Sequence, residues 1–279
     1  MTKFFDTHAH YFDKKFIDFS PSENCPAGAD ALLDSAPFID AVCGIINAGT
    51  NIENSLVAIE QSRNRDFMFA AVGIHPEDAQ NMSLDADVEL ARLEEIVSSP
   101  ERLRNDKIVA IGEAGLDYYW QPVDKKKQLE FFEGQLTLAE KYSLPVIVHD
   151  REAHGDSIAA VMRHPSVIGV FHAYSGSVES ARELIRRGWY IGLGGAVTFK
   201  NADRLRGVAK SIPLDRILLE TDCPYMSPVP FRGQVNHSAR LPFVAEVLAE
   251  LHGISVDELA QKTSENALKL FDRIPKRAI

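Results

Sequence analysis

The chain has 279 residues, of which 45% are hydrophobic and 25% are charged, an ordinary globular composition with enough apolar side chains for a substantial core. Its 30 Lys and Arg are outnumbered by 40 Asp and Glu, and the net charge of -10 argues against a protein that coats nucleic acid through its overall field. This charge does not exclude an enzyme that grips a few phosphates at a local site.

The N-terminus and the cysteines bear on the compartment. No run approaches the ~20 apolar residues that a membrane span requires. The first residues lead directly into a strand that carries Asp6 and His8, rather than into a signal peptide. Cys25, Cys43 and Cys223 are odd in number and widely spaced, which favours a reducing cytosol. We expect a cytoplasmic protein with no membrane partner and no stable protein partner.

Short apolar runs alternate along the chain with longer amphipathic runs, the pattern of repeated βα units. The predicted strands lie near Phe4–His10, Cys43–Gly49, Met68–His75, Ile108–Glu113, Pro145–His149, Val167–His172, Tyr190–Gly194 and Arg216–Thr221. The clearest helix follows a capping Asp124, with Leu129, Phe132, Leu136 and Ala139 at helical spacing. Eight such units without a linker predict one α/β domain over residues 1–279, a closed (β/α)8 TIM-type barrel. The alternative is an open doubly wound sheet.

Residues 18–40 are the least regular part of the chain and include Pro21, Pro26, Gly28 and Pro37. This composition predicts a loop-rich insertion after the first strand. On a barrel, the insertion would lie over the catalytic face and shape access of the substrate. The alternative is a solvated excursion without a role at the site.

The carboxyl ends of the predicted strands carry residues that bind metals. His8 and His10 are two apart on one strand, so both imidazoles project from the same face. Later strands end in His75, Glu113, His149, His172 and Asp222. Each residue alone has an ordinary explanation, such as a cap or a core hydrogen bond. Their coincidence at the face where barrels gather function predicts a metal centre.

The residue types suit two cations. We assign the first to His8, His10 and Asp222, the second to His149 and His172, and the bridge between them to Glu113. Two cations ~3.5–4 Å apart activate a water between them and stabilise a leaving oxygen. A mixed imidazole and carboxylate set favours Zn, Mn, Fe or Ni over an all-oxygen Mg or Ca site, and Mg stays an alternative. The expected cofactors are therefore two divalent metal ions, with Mg, Mn and Zn as candidates.

Competing chemistries find less support. Cys223 follows Asp222, but without an evident activating partner it is better explained as a small packed residue than as a nucleophile. Gly192, Gly194 and their neighbours are similar to a dinucleotide fingerprint, but Val197 stands where the third glycine belongs. The chain has neither a GxSxG elbow nor a Walker loop.

Six motifs occur in the order of a known family. They are Asp6-Thr7-His8-Ala9-His10, Gly73-Ile74-His75-Pro76, Ile111-Gly112-Glu113-Ala114-Gly115-Leu116-Asp117-Tyr118, Leu144-Pro145-Val146-Ile147-Val148-His149-Asp150-Arg151, Phe171-His172-Ala173-Tyr174-Ser175-Gly176-Ser177 and Leu219-Glu220-Thr221-Asp222-Cys223-Pro224-Tyr225, with Pro230-Phe231-Arg232-Gly233 beyond. Over nearly its whole length the chain resembles the TatD-type metal-dependent deoxyribonucleases of the amidohydrolase superfamily.

The resemblance implies a (β/α)8 barrel with one or two divalent cations on the six ligand positions named above. It also places His75 beside the scissile phosphate, where the residues alone leave it open between a phosphate contact and a structural residue before Pro76. The first connection is longer than usual for the family, and Asn236-His237-Ser238-Ala239-Arg240 replaces a more typical Asn-x-Pro stretch. Both departures lie near the expected mouth of the barrel and leave the exact substrate open.

Hydrolysis of a phosphodiester by metal-activated water assigns roles to further residues. Asp222 would accept the proton of the water as well as bind metal, beside the bridging Glu113. Arg151 and Arg232 would hold substrate phosphates, with solvated salt bridges as the alternative. Tyr119, in an aromatic run after the fourth strand, would stack an unpaired base, a contact worth ~1–3 kcal/mol, unless the run is a lid that packs on itself.

The expected substrate is DNA, and the expected activity is 3'-5' exonuclease action on single-stranded ends, because a narrow barrel mouth admits an end more readily than a duplex interior. Another ester or amide bond is the first alternative, including D-aminoacyl ester removal from transfer RNA or a small-molecule substrate. A non-catalytic binding scaffold is the second, and the intact ligand set argues against it.

Overall fold

The computed structural model describes residues 2–20, 26–83 and 85–275, so Cys25 and part of the predicted insertion lie outside the described residues. Eight strands form one parallel sheet in sequence order. They are β1 (Phe4–Ala9), β2 (Val42–Ala48), β3 (Met68–Val72), β4 (Ile108–Asp117), β5 (Val146–Arg151), β6 (Gly169–Phe171), β7 (Tyr190–Leu193) and β8 (Ile217–Leu219). All eight strands agree with those predicted from the sequence.

Hydrogen bonds beyond the end of β8 bring its continuation against β1. The Asp222 N–H donates to the His8 carbonyl at 2.9 Å, and the His10 N–H donates to the Cys223 carbonyl at 2.8 Å. These bonds join the last strand to the first, and the sheet becomes a nearly closed barrel. The predicted fold class is confirmed, and the open doubly wound sheet is wrong.

Helices surround the barrel and connect successive strands. Within the described residues they are α1 (Ala29–Leu33), α2 (Ala36–Ala41), α3 (Ile52–Arg63), α4 (Pro76–Asn81), α5 (Ala86–Val97), α6 (Pro100–Asn105), α7 (Lys125–Tyr142), α8 (His154–Arg163), α9 (Val178–Arg186), α10 (Asp203–Ser211), α11 (Leu241–His252) and α12 (Val256–Leu270). The Asp124 side chain caps α7 by accepting from the Lys127 N–H, as the sequence predicts. No helix in the described ranges is both long and apolar enough to cross a membrane.

Every strand contributes apolar side chains to the packed interior of the barrel. The largest from each strand are Phe5, Ile46, Phe69, Val109, Ile147, Val170, Tyr190 and Leu218. Leu270, Phe271 and Ile274, at and beyond the end of α12, pack against the same cluster. Because this layer fills the barrel from its amino end, polar groups from the strands can gather and reach solvent only at the carboxyl end.

The segment predicted to be loop-rich contains two short helices, α1 and α2, in its described part. Phe38 of α2 packs beside Tyr11, with ring centroids 6.0 Å apart, and Phe19 lies 6.0 Å from the His237 ring. Tyr11 follows β1 and His237 follows β8, so these contacts place the segment against two loops at the carboxyl end of the barrel.

Candidate metal centre

The six residues predicted to bind metal lie together at the carboxyl end of the barrel, with His75 beside them. Three groups of these residues hold their ligand atoms close enough to share an ion: His8, His10 and Glu113; His8, His172 and Asp222; His75, Glu113 and His149. The groups overlap, so they form one continuous centre. The side chains come from positions far apart in the sequence, and only closure of the barrel brings them into contact.

The first half of the centre is built on the two histidines of β1. The Nε2 atoms of His8 and His10 are 3.0 Å apart. Glu113 Oε2 lies 3.4 and 3.3 Å from them, and Asp222 Oδ1 lies 3.8 and 3.5 Å from them. Ligand atoms in a tetrahedral zinc shell, each ~2.1 Å from the ion, lie about 3.4 Å from one another. The distances from the two histidines to each other and to each carboxylate are close to this value, so the histidine pair can share a divalent cation with a carboxylate.

The second half of the centre uses the other oxygen of Glu113. Oε1 lies 2.7 Å from His149 Nδ1 and 2.7 Å from His172 Nε2, and these two nitrogens are 3.2 Å apart. In an octahedral shell with ligands at ~2.1 Å, neighbouring ligand atoms lie about 3.0 Å apart. The two oxygens of Glu113 thus face two different sets of nitrogens, which is the arrangement of a carboxylate that bridges two cations.

In His10 and His149, a hydrogen bond on the side of the ring away from the centre determines which nitrogen of the neutral ring is free to bind a metal. The Nδ1 atom of His10 lies 2.7 Å from the Ala48 carbonyl oxygen and must donate to it, which leaves a lone pair on Nε2. The Nε2 atom of His149 lies 3.0 Å from Asp117 Oδ2, which leaves a lone pair on Nδ1. In both rings the nitrogen that faces the centre can bind a metal. Such outer partners are a regular feature of metal-binding histidines.

His75 has the opposite arrangement. Its Nδ1 accepts a hydrogen bond from the Glu77 N–H, at 3.2 Å, at the start of α4. The proton of a neutral His75 ring must then reside on Nε2, which lies 3.5 Å from Glu113 Oε1. His75 therefore presents a donor to the centre, whereas His10 and His149 present acceptors in their neutral forms.

The two carboxylates of the centre remain ionised. Burial by itself raises the pKa of Glu113, but the surrounding histidines, His172 foremost, and the hydrogen bond from His10 together outweigh it and hold that pKa well below the usual range. Burial also opposes ionisation of Asp222, but the hydrogen bond from His10 and the neighbouring histidines together outweigh it and lower its pKa. Two negative charges this close together attract cations.

The histidine pKa values fall into two classes. Burial disfavours the charged form of every ring, and it lowers the pKa of His8 to about 4 and that of His75 to about 3. For His10 and His149 burial acts in the same direction, but hydrogen bonds to carboxylates overcome it and raise each pKa to about 10. The metal-free centre therefore holds protons on the His10 and His149 rings.

The residues predicted to contact substrate occupy two places in the surrounding loops. Arg151, the last residue of β5, lies with its guanidinium 3.8 Å above the Tyr119 ring and 5.3 Å from the Trp120 ring. Both aromatic side chains are 50% exposed. The Arg232 guanidinium, in the loop after β8, lies 3.7 Å from the centroid of the Phe199 ring in the loop after β7. Arg151 and Tyr119 thus form one stacked pair, and Arg232 and Phe199 form a separate pair.

Comparison with known proteins identifies the family. The family model described as TatD related DNase matches residues 5–272 of this chain. The chain belongs to the TatD family. Its relatives include the Bacillus subtilis metal-dependent hydrolase YabD, 38% identical over 269 residues that make up 96% of this chain and 98% of that protein. The Escherichia coli metal-dependent hydrolase YcfH is 41% identical over 269 residues, 95% of this chain and 94% of that protein.

Solved structures agree with this assignment. The crystal structure of YjjV, a TatD homologue from Escherichia coli, superposes with a TM-score of 0.83 at 34% identity and covers 96% of this chain and 98% of that chain. The phosphotriesterase homology protein of Escherichia coli, whose structure holds phosphate in its active site, superposes with a TM-score of 0.60 at 15% identity, a likeness of fold alone. The TatD chain described here is thus a metal-dependent hydrolase.

Sequence reasoning missed two acidic residues of this TatD centre. Asp117 lies at the end of β4, which continues four residues past the predicted end at Glu113, and it contacts His149. Glu220 is fully buried, and its Oε1 lies 3.9 Å from His172 Nδ1. A spacing of four residues within one strand from Glu113 to Asp117 is the signal that would have found the first, since even spacings share a face.

Proposed function

We propose that this metal-dependent hydrolase is a deoxyribonuclease that removes nucleotides from single-stranded DNA ends in the 3'-5' direction. The observation that carries the proposal is the position of Glu113, whose two oxygens face two separate sets of histidine nitrogens. Two cations on either side of one carboxylate clamp the attacking and the leaving oxygen of a phosphodiester. The description of the matching family model as TatD related DNase supports the same bond type.

The centre would hold two cations. His8, His10 and Asp222 would bind the first and His149 and His172 the second, with Glu113 shared between them. When bound, the cations lower the pKa of a water and polarise the phosphoryl oxygen. The mixed nitrogen and oxygen donors suit Mn or Zn, and Mg is the third candidate.

Asp222 is the proton acceptor in this proposal. Its side chain is 18% exposed, whereas that of Glu113 is 4% exposed, so Asp222 is the carboxylate of the centre that solvent and substrate can reach. Asp222 Oδ1 lies 3.8 and 3.5 Å from the Nε2 atoms of His8 and His10, and the second oxygen would take a proton from the attacking water. Glu113 would serve as a metal ligand and not as a proton acceptor.

His75 binds the scissile phosphate in this proposal. Because its Nδ1 accepts from the Glu77 N–H, its Nε2–H points into the centre as a hydrogen-bond donor. A neutral imidazole donor stabilises the negative charge that develops on a phosphoryl oxygen. His75 thus acts on the substrate, while the other histidines hold the cations.

Arg151 and Tyr119 bind the DNA strand next to the scissile bond. Stacking on Tyr119 holds the planar guanidinium of Arg151 in one orientation, which favours bidentate contact with a phosphate. The half-exposed Tyr119 ring offers an unpaired base a stacking surface worth ~1–3 kcal/mol. Arg232 beside Phe199 provides a second phosphate contact on the loops after β7 and β8.

A cytoplasmic location belongs to the same proposal. Cys43 and Cys223 are both free thiols in the described part of the chain. Free thiols suit a reducing compartment.

Digestion of single-stranded DNA labelled at one end tests the proposal. Purified protein is treated with EDTA and reloaded with Mn or Mg, and the products from substrates labelled at the 5' or the 3' end are compared. We expect metal-dependent release of mononucleotides from the 3' end, abolished in His8→Ala. His164→Ala is the matched control, because His164 pairs with Glu133 and Glu140 away from the centre.

Two outcomes would contradict the nuclease assignment. Equal nuclease activity in His8→Ala and in the wild-type protein would assign any DNA cleavage to a contaminant. Release of an amino acid from mischarged transfer RNA, with all nucleic acid intact, would transfer the activity to ester hydrolysis.

A further inference from the structure

Asp117 is a buried carboxylate that lies between the metal centre and the loop predicted to bind substrate. Its side chain is 1% exposed. Oδ2 lies 3.0 Å from His149 Nε2, and Oδ1 accepts from the Tyr119 N–H at 2.9 Å. One carboxylate thus contacts both a proposed metal ligand and the backbone of the loop that carries Tyr119.

The backbone of Asp117 is itself held in place. Gln128 of α7 is fully buried, and its side-chain amide accepts from the Asp117 N–H at 2.8 Å and donates to the Asp117 carbonyl at 2.9 Å. Both polar backbone groups of Asp117 are therefore satisfied by one residue. Because these two hydrogen bonds fix the backbone of Asp117, its carboxylate has little freedom to turn away from His149.

We infer that Asp117 is a positioning residue that holds His149 in the tautomer able to bind metal. His149 is the ring that presents Nδ1 to Glu113 and His172, and it can do so only when the proton resides on Nε2. Asp117 accepts a hydrogen bond from the Nε2–H group of His149 and so keeps the lone pair of Nδ1 directed at the centre. The Ala48 carbonyl does the same for His10 with the opposite pair of nitrogens.

This inference rests on the proposed assignment of His149 as a metal ligand, and it does not depend on which bond the enzyme cleaves. Loss of an outer hydrogen-bond partner typically costs 10–100-fold in metal affinity. The effect belongs to the second site, built on His149 and His172. The first site has no contact with Asp117 among the described residues and keeps its affinity.

Two substitutions at position 117 separate this role from a merely structural one. In Asp117→Asn the Tyr119 N–H needs an acceptor and so donates to the amide oxygen of the new Asn side chain. The NH2 group of that side chain then faces His149 and donates to its Nε2 atom. The His149 proton must then move to Nδ1, where it blocks the metal. Asp117→Ala removes the acceptor without forcing the wrong tautomer. We therefore expect the nearly isosteric Asn to weaken the second site more than Ala does.

Two measurements on the metal-free and zinc-titrated proteins test this order. Imidazole 15N NMR of metal-free protein, recorded above the His149 pKa of about 10 so that the ring is neutral, reports which nitrogen of His149 carries the proton, with His149→Ala used to assign its signals. Competition titration of Zn2+ against a chromophoric chelator reports the affinity of both sites. We expect a protonated Nδ1 and at least 10-fold weaker second-site binding in Asp117→Asn, and a smaller loss in Asp117→Ala.

Control variants show which part of the inference is wrong if the expected results are not obtained. Asp156→Asn neutralises an exposed carboxylate that accepts from the Tyr118 hydroxyl, so it matches the charge change without touching His149. A loss in Asp117→Ala equal to or larger than that in Asp117→Asn, or an unchanged His149 tautomer in Asp117→Asn, overturns the inference. If His149→Ala keeps both zinc sites, the ligand assignment itself has failed. Should Asp117→Asn not fold, the tautomer ratio in Asp117→Ala decides, since the inference requires a partial shift of the proton to Nδ1.

Discussion

Metal binding should expel protons from this protein, because the metal-free centre holds them on ligand nitrogens. The pKa values of His10 and His149 are raised to about 10, so both rings are protonated near neutral pH. A metal can bind only to the deprotonated nitrogen. His10 belongs to the first site and His149 to the second, so each site should release at least one proton when it fills.

The magnitude follows from the number of protons. One released proton changes the affinity tenfold per pH unit, or about 1.4 kcal/mol, as long as the pH lies below the pKa of the ring. Between about pH 6 and pH 8 the affinity of each site should therefore rise roughly 100-fold. The pKa of His172 is also raised, so this ring adds to the proton release.

Isothermal titration calorimetry of Mn2+ or Zn2+ into metal-free protein measures this release. The apparent enthalpy is recorded in buffers of different ionisation enthalpy, and the slope is the number of protons released. We expect a total of at least two, falling by one in His149→Ala, with His164→Ala unchanged. A total below one proton, or equal affinities at about pH 6 and pH 8, would refute the protonated centre.

The same shifts predict how the metal-free protein responds to alkali. A histidine whose pKa rises from the ordinary 6.5 when the chain folds stabilises the folded state. The full stabilisation is present below about pH 6.5, and it is lost as the pH rises through the folded-state pKa of about 10. The thermal midpoint of metal-free protein should therefore fall between about pH 7 and pH 9. Metal-loaded protein should show a smaller fall, since its rings are already deprotonated.

Four further substitutions should act in different ways. His75→Ala should keep both metals but lower kcat for DNA, measured by elemental analysis and nuclease assay, because its Nε2–H is a donor and not a ligand. Arg151→Ala should raise KM for single-stranded DNA, measured by steady-state kinetics, and Tyr119→Ala should weaken affinity by the ~1–3 kcal/mol of one base stack. Gly115→Ala should destabilise the fold by about 1–3 kcal/mol in denaturant titration, since its Cβ would lie 1.9 Å from the His149 carbonyl oxygen at a φ of 151°.

A control variant or a contradicting result tests the substitutions at His75, Arg151 and Gly115. Loss of metal in His75→Ala would make His75 a ligand. Arg186 is an exposed residue on α9, and Arg186→Ala should leave KM unchanged. An equal effect of Arg186→Ala and Arg151→Ala would show that both arginines act only through the overall charge of the protein. Gly207→Ala is the control for Gly115, because nothing lies within 4 Å of a Cβ there; equal stability of the two variants would show that β4 and β5 can separate.

The sequence by itself determined the barrel and which side chains gather at its carboxyl end. Strand periodicity is a local property, so the eight strands and the shared face of His8 and His10 follow from residues close together in the chain. The ends of parallel strands meet at one edge, and this rule predicts that Glu113, His149, His172 and Asp222 lie together. Their assignment as metal ligands stays a prediction that the metal titrations test.

Only the tertiary structure decided what each ring nitrogen faces. The sequence ends β4 at Glu113, but pairing with β5 extends the strand to Asp117, opposite Arg151. That extension brings the Asp117 carboxylate to His149, and the start of α4 brings the Glu77 N–H to His75. A tautomer depends on the partner across a ring. That partner comes from a different part of the chain, which no local pattern specifies.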